Sequence, residues 1–445
     1  LVKITRCQII KGYFMNEYLA YALTMLKRLK SSGAFDIFVG NFLIKFVGLF
    51  GSIFIVRFLT KEEYGLLSYI ENIYSYVSIF VGLGIANGIM RYFVLAKCEN
   101  ERKAMYIYAI RFQTIFNLIL VFCTSVFFKI FINNDFTDSV GELIFIYLLS
   151  LVFSDITYTN LSLERALLEN RKYILFSGLA SVLSVCLRII GAAISGLFGV
   201  VFFKTTADLL SATAICFLVF RSSIKGFKST QHKIIAKDMK KSIFFYSLQN
   251  MLNNGVWILF MITDVFLISF LLDDPSILAD YKVAYAIPSN MAIVVSSIVT
   301  FICPYFIKHE DDHEWVMKKY IKCLKITTII MTILFVFLFI GAKWVILILY
   351  GERYINVVSL MRIILVAFYI NSTFKTFSAS LLSAMGYAKQ NLVIAIFAFI
   401  IQVTMAYNVI PQYGIMGLAV GNVCVYFAVT VVTMIVFKKI FKPIN

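Results

Sequence analysis

The sequence predicts an all-α polytopic membrane protein of about 12 transmembrane helices, written as two parallel six-helix lobes. Three observations predict it. The 445 residues are 61% hydrophobic and 15% charged, where a soluble domain carries roughly a quarter charged residues. The apolar residues fall into many segments of about 20, long enough to cross a hydrocarbon core at a rise of ~1.5 Å per residue. Strands of a membrane β-barrel are shorter, ~10 residues, and alternate polar with apolar. Finally, the second half of the chain repeats the spacing of the first.

In order, the spans are 36–57, 66–90, 104–131, 141–160, 173–194, 198–220, 243–272, 277–304, 320–346, 356–381, 389–410 and 414–437. With the N-terminus inside, the inner loops and tails hold 28 of the 41 Lys and Arg, seven of them in "RSSIKGFKSTQHKIIAKDMKK" (221–241). The outer loops hold six: Arg57, Lys61, Lys129, Lys282, Lys343 and Arg353. This bias puts both termini in the cytoplasm. The chain then divides into a cytoplasmic N-terminal segment (1–33), a first lobe (34–220), a basic cytoplasmic linker (221–242), a second lobe (243–438) and a cytoplasmic tail (439–445). Residues 1–30 scatter Lys3, Arg6, Lys11, Lys27, Arg28 and Lys30 among short apolar patches, so they do not read as a signal peptide. Met15 and Met25 are candidate true starts.

Shifting the first half by 214 residues sets the loop after Arg91 on the loop after Tyr305 and matches the third span with the ninth. Past a four-residue insertion the shift becomes 218, aligning "ALLENRKYILFSG" (166–178) with "AMGYAKQNLVIAI" (384–396) and "GLFG" (196–199) with "GIMG" (414–417). Each half has an even number of crossings, so the halves lie parallel about an axis along the membrane normal. Transporters built this way hold the substrate between the halves. The repeat also sets "SFLLDDPSILADYKVA" (269–284) on "IVRFLTKEEYGLLSYI" (55–70), an outer hairpin between the first two spans. Its charges, Arg57, Lys61, Glu62 and Glu63, admit two readings: anchors that snorkel to lipid headgroups, or charges of an outer gate.

Ionisable groups within a span are costly and face a cavity or a partner. Span seven carries Asn250, Asn254, Trp257, Met261 and Asp264 on one helical face. Span one has Asn41, Lys45, Gly48 and Ser52, and span two has Glu71, Ser75, Ser78 and Gly82. These stripes predict a wet cavity between spans one, two, seven and eight; the alternative is helix–helix hydrogen bonding in a dry bundle. By depth, Arg188 of span five is expected to pair with Asp208 of span six. Spans four and ten share a polar inner half, "SDITYTN" (154–160) and "STFKTFS" (372–378), with the charges Asp155 and Lys375. Bases within spans (Lys45, Arg111, Arg188, Lys204, Lys325, Arg362, Lys375) outnumber acids (Glu71, Asp155, Asp208, Asp264), which favours an anionic cargo such as a phosphate or pyrophosphate.

Other classes of function fit poorly. The net charge of +17 follows from the basic inner loops, so no nucleic-acid partner is expected. The eight cysteines form no CxxC and imply neither a disulfide framework nor a metal site. "HEDDH" (309–313) matches the zinc-protease pattern but sits in a charged inner loop without an obvious third ligand, and reads as a solvated loop. "GLGIANG" (82–88) lies in span two, where Gly84 and Gly88 make a helix-packing GxxxG. No GxxxxGK[ST] loop occurs, so no ATPase is built in.

With "FIVRFLTKEEYGLLSY" (54–69), "LGIANGIMRYFV" (83–94), "AMGYAKQNLVI" (384–394) and "YGIMGLAVGN" (413–422), the chain resembles the polysaccharide flippases of bacterial surface-glycan gene clusters. These are the O-antigen (Wzx-type) translocases of the multidrug/oligosaccharidyl-lipid/polysaccharide exporter superfamily. The resemblance covers nearly the whole chain from about residue 34. It implies two lobes in a V and alternating access in the bacterial inner membrane, with no cofactor beyond a proton or sodium gradient. The implied cargo is an undecaprenyl-pyrophosphate-linked repeat unit, with membrane lipids and the polymerase and chain-length proteins of the pathway as partners. On this resemblance Lys45, Arg57, Arg91 and Arg188, together with Asn250 and Asn254, are the candidate substrate-binding residues, and Asp264 and Glu71 the candidate ion-coupling residues. A cation-coupled multidrug exporter of the same superfamily is the first alternative; it should present acids to its cargo. A membrane glycosyltransferase or polymerase is the second, disfavoured by the short outer loops.

Overall fold

The computed structural model describes residues 34–96, 99–131, 135–224 and 237–441, and among these every regular element is a helix. The N-terminal segment and most of the basic linker lie outside them. Helix α1 (Ala34–Phe58) runs into the hairpin, and α2 (Lys61–Ser78) leaves it. Thr60 makes that start sharp. Its side chain accepts from Glu63 N–H at 3.1 Å while Glu63 Oε2 accepts from Thr60 N–H at 2.8 Å, a capping box that satisfies two end donors at once. The second span is not the single helix expected: a left-handed turn at Val81–Gly84 bends the chain by 42° before α3 (Ile85–Leu95).

Helices α4 (Glu99–Phe131) and α5 (Asp135–Ala166) follow, then α6 (Asn170–Val219), 50 residues long. After the linker come α7 (Lys237–Leu272), α8 (Pro275–Asn290), α9 (Ala292–Lys308) and α10 (His313–Tyr350). Asp274 caps α8 with hydrogen bonds from Ser276 and Ile277 N–H, and Pro275 occupies the first turn, where no N–H is needed. The tenth span is α11 (Val358–Ile370), a π-helical turn at Asn371–Thr376 and α12 (Phe377–Ala384). Helix α13 (Ala388–Ile440) closes the chain with 53 residues.

Helices of 50 and 53 residues are too long for one crossing, and both double back. At Gly196 (φ 56°) and Gly414 (φ 59°) the backbone enters a region that a Cβ would oppose. The arms of the first hairpin then press Gly191 against Gly199, and those of the second press Gly421 against Met405. Counting both arms of each, the bent second span, α1 and α7 gives twelve crossings among the described residues. Within the first lobe α6 packs on α5 and α1, and within the second α13 packs on α7 and α11. The lobes meet through α2 and α3 of one and α7 and α8 of the other, so spans two, seven and eight form the seam; span one, which the polar stripes also put there, packs chiefly on α6 of its own lobe.

Candidate transport path

The seam has an outer end, a centre and an inner end, named after the charge count. At the outer end the hairpin of the first lobe grips the second. Arg57 Nε donates to Leu349 O at 2.8 Å and its Nη2 to Ile348 O, the last carbonyls of α10. Arg353, just past α10, returns the contact: its Nη1 donates to Leu59 O at 2.6 Å and its Nη2 to Val56 O, at the end of α1. Helix ends carry unpaired carbonyls and a negative dipole end, which is where an arginine is favourable. Lys61 Nζ pairs with Asp280 Oδ2 of α8 at 2.7 Å, and Asn356 supports Asp280 at 3.2 Å. A Cβ on Gly65 would run into Pro275 O, so the α2 and α8 backbones touch there. Of the four hairpin charges, Arg57 and Lys61 thus span the lobes. Glu63 stays at home, capping α2 and accepting from Leu197 N–H at 3.2 Å, and Glu62 is exposed.

At the centre, Arg188 of α6 pairs with Glu71 of α2 at 2.5 Å, and Tyr147 of α5 donates to the same Oε1 at 3.3 Å. The expected Arg188–Asp208 pair is not what forms: Asp208 is held by Lys204, one helical turn before it, which lies over the Tyr74 ring at 5.6 Å. Glu71 is therefore the anchor of a basic residue in this conformation, with Arg188 Nε left buried and without a partner. Lys282 corrects the charge count as well. It lies about two turns inside α8, not in an outer loop, and its charge acts on Glu71 across the seam. Beside this cluster the lobes bond directly, Asn72 Nδ2 to Ile262 O at 2.9 Å and Tyr76 Oη to Thr263 Oγ1 at 3.3 Å. The stripe hydroxyls of Ser52, Ser75 and Ser78 turn back on their own helices.

Asp264 lies in the second lobe, 2% exposed. Its carboxylate accepts from Tyr281 of α8 at 2.8 Å and, on the two arms of α13, from Gln402 at 2.7 Å and Asn422 at 2.7 Å. Gln402 Oε1 and Asn422 Oδ1, both buried, have no partner. Tyr281, Gln402 and Asn422 were not legible as partners because they reach Asp264 from elements 17 to 158 residues away.

At the inner end α3 packs on α7. Cβ atoms on Gly84 and Gly88 would meet Ser247 O and Ser247 Oγ, so the GxxxG is a packing face. Arg91 sits over the Tyr246 ring at 4.5 Å, and Tyr92 meets the same ring edge-on. Lys45 is exposed and makes no hydrogen bond or ion pair among the described residues. The side chains of Asn41, Asn250, Asn254 and Trp257 lie outside the described residues. In "HEDDH", His309 stacks on Trp315 at 4.2 Å and His313 meets Phe441 edge-on; no group of three or more metal-ligating side chains occurs among the described residues.

A model of the polysaccharide biosynthesis protein family matches residues 54–359, so the chain belongs to that family. No curated protein matches it. Among solved structures it is similar to the lipid II flippase MurJ in an inward closed conformation, with a TM-score of 0.71 and 16% identity over 91% of this chain and 88% of that one. It is also similar to an inward-facing multidrug resistance MATE transporter of the MOP superfamily (TM-score 0.68, 15% identity, 89% and 94% covered). A MOP superfamily transporter from Pyrococcus furiosus, described by the reverse polarity of its binding pocket, gives a TM-score of 0.61 at 15% identity (93% and 96% covered). The chain is a polysaccharide-biosynthesis family protein with the fold of the MOP transporters, and its long apolar helices make it a multi-pass membrane protein.

Proposed function

We propose that this protein moves an undecaprenyl-pyrophosphate-linked repeat unit of O-antigen, or of a related surface polysaccharide, across the bacterial inner membrane by alternating access. The observation that carries this reading is the centre of the seam. Arg188 offers a buried, unpartnered donor on Glu71, and the charge of Lys282 from α8 also acts on that carboxylate, so a diphosphate competing with Glu71 meets a positive field from both lobes. The outer clasp holds the path shut above them, and it must open for the cargo to leave. With both termini cytoplasmic, loading is from the inner leaflet, and the polymerase and chain-length proteins of the pathway act on the exported unit.

The drive is a cation gradient read at Asp264. The amides of Gln402 and Asn422 now donate to the carboxylate; turned over, their unpartnered carbonyl oxygens would join it in the all-oxygen set that a hard cation takes. The drug-exporter alternative is disfavoured because Arg188 and Lys282 would repel a cationic cargo. The test is complementation in the native strain after deletion of the gene. Wild type should restore surface glycan. Arg188→Ala should leave repeat units on the cytoplasmic leaflet although the protein inserts, and Arg188→Lys should restore part, since it keeps the charge but loses the fork. Full restoration by Arg188→Ala removes this residue from the path.

A further inference from the structure

Behind the second span, apart from the ion pairs of the seam, the first lobe holds a buried carboxylate without a counter-charge. Asp155 of α5 is 6% exposed. Its Oδ2 accepts from Asn117 Nδ2 of α4 at 2.7 Å, and no lysine, arginine or histidine acts on it among the described residues. Asn117 Oδ1 in turn accepts Gly82 N–H at 2.7 Å. One turn along the same helix faces, Thr159 donates to Gln113 Oε1 at 2.7 Å, while Gln113 Nε2 is a fully buried donor with no partner.

These groups lie against the break in span two. Gly82 (φ 55°), Leu83 (φ 47°) and Gly84 (φ 71°) are left-handed in succession. The leucine is strained there, and such strain persists only where its surroundings enforce it. A Cβ on Gly82 would lie 2.6 Å from Asp155 Oδ2 and 3.4 Å from Gln113 Cβ. Helix α3 starts at this break with no side chain capping its first turn, and α3 is the half of the span that carries the inner contact on Ser247 and Tyr246.

A carboxylate in a membrane interior with amide donors alone is costly as an anion and cheap as an acid. Its neighbours decide which cation fits. Both carboxylates accept from amide donors, but the amides beside Asp264 keep carbonyl oxygens without a partner. Beside Asp155 the carbonyl oxygens are occupied, Asn117 Oδ1 by Gly82 N–H and Gln113 Oε1 by Thr159, and the unpartnered atom is the Gln113 Nε2 donor, which a metal ion cannot use. We propose that Asp155 is a proton site whose occupancy sets the break in span two and, through α3, the inner contact between the lobes. The neutral acid is content with Asn117. When its O–H proton passes to water, the anion takes up the spare Gln113 amide and the uncapped N–H groups at the start of α3, and α3 turns about Gly82–Gly84. Around Asp155, the titratable groups are Tyr158 on its own helix, on which its charge acts, and Tyr74 of α2, bonded to the adjacent Ser154; α4 presents the amides Gln113 and Asn117.

The test needs no cargo, so it succeeds or fails independently of the glycan reading. The full chain in lipid nanodiscs is followed by hydrogen–deuterium exchange over residues 79–95 in acidic and alkaline buffer, with the intrinsic pH dependence of exchange removed, and in sodium against potassium at fixed pH. We expect protection of 79–95 to change with pH and not with sodium. Asp155→Asn should lose the pH response and stay in the acidic pattern, while Asp264→Asn keeps it. Absence of a pH response in the wild type overturns the proposal, as does a response that follows sodium instead. A response that survives Asp155→Asn, or is lost in Asp264→Asn, overturns it too; the last of these decides even if Asp155→Asn does not fold.

Discussion

Arg188, Glu71 and Asp264 show how far single residues could be read. A charge inside an apolar run announces itself, because burying it is costly wherever the helix goes. Its partner does not. Depth along the span suggested Asp208 for Arg188, but Asp208 has Lys204 one turn away on its own helix, and Arg188 reaches 117 residues back to Glu71. Pair choice is settled by which helices become neighbours, and that is a property of the fold. Lys282 was counted with the outer loops although it lies five residues inside the predicted span 277–304; α8, capped by Asp274 and opened by Pro275, carries it about two turns in from the helix start. Asp264 was found as a charge, but the amides that bond it come from the two arms of α13. A measurement at this scale follows. Sodium at about 100 times its dissociation constant should stabilise the folded protein by ~2.7 kcal/mol, seen as a rise in melting temperature over equal potassium. Asp264→Asn should abolish that rise, and an unchanged rise would move the site elsewhere.

At the scale of elements, the outer clasp is built from contacts that are individually weak. The Lys61–Asp280 pair is 30% and 12% exposed at its side chains, where such pairs contribute about 0–1 kcal/mol. The arginine-to-carbonyl bonds add about 1.5–3 kcal/mol each where shielded and less where water competes. A gate held by a few such contacts is closed at rest and still opened by a cargo or ion worth about 5.5 kcal/mol of differential binding, the amount that inverts a 1:99 population. Lys61→Asp should therefore raise the labelling rate of a thiol placed in the outer half of the seam by several-fold, and adding Asp280→Lys should bring it back. Equal labelling in all three proteins would mean that the pair holds nothing shut. The hairpin charges were legible as anchors or gate, and Arg57 and Lys61 bond across to the second lobe. The break in span two was not legible: "GLGIANG" signals close packing and that packing exists, but glycine permits a left-handed turn without requiring one.

For the whole molecule, twelve crossings and two lobes follow from apolar run length and from the 214–218 residue repeat. The repeat fixes what the lobes share, and the departures from it give the molecule a direction. Within two residues of equivalence at the 218 shift, the first lobe carries Asp155 behind its bent span and the second carries Lys375 in the π-helical turn beside α9. Asp264 is on the second lobe only, and Arg188 on the first. Under the proposed function the grip is divided rather than symmetric, with the anion at the first lobe and the seam and the cation in the second. The most direct test of this account is a flipping assay in proteoliposomes, using a fluorescent undecaprenyl-pyrophosphate saccharide and a membrane-impermeant quencher. An inward-directed sodium or proton gradient should raise the rate at which label crosses the bilayer well above that of protein-free vesicles, and Arg188→Ala should return it to that baseline. A wild-type rate equal to the protein-free rate under both gradients would contradict the account.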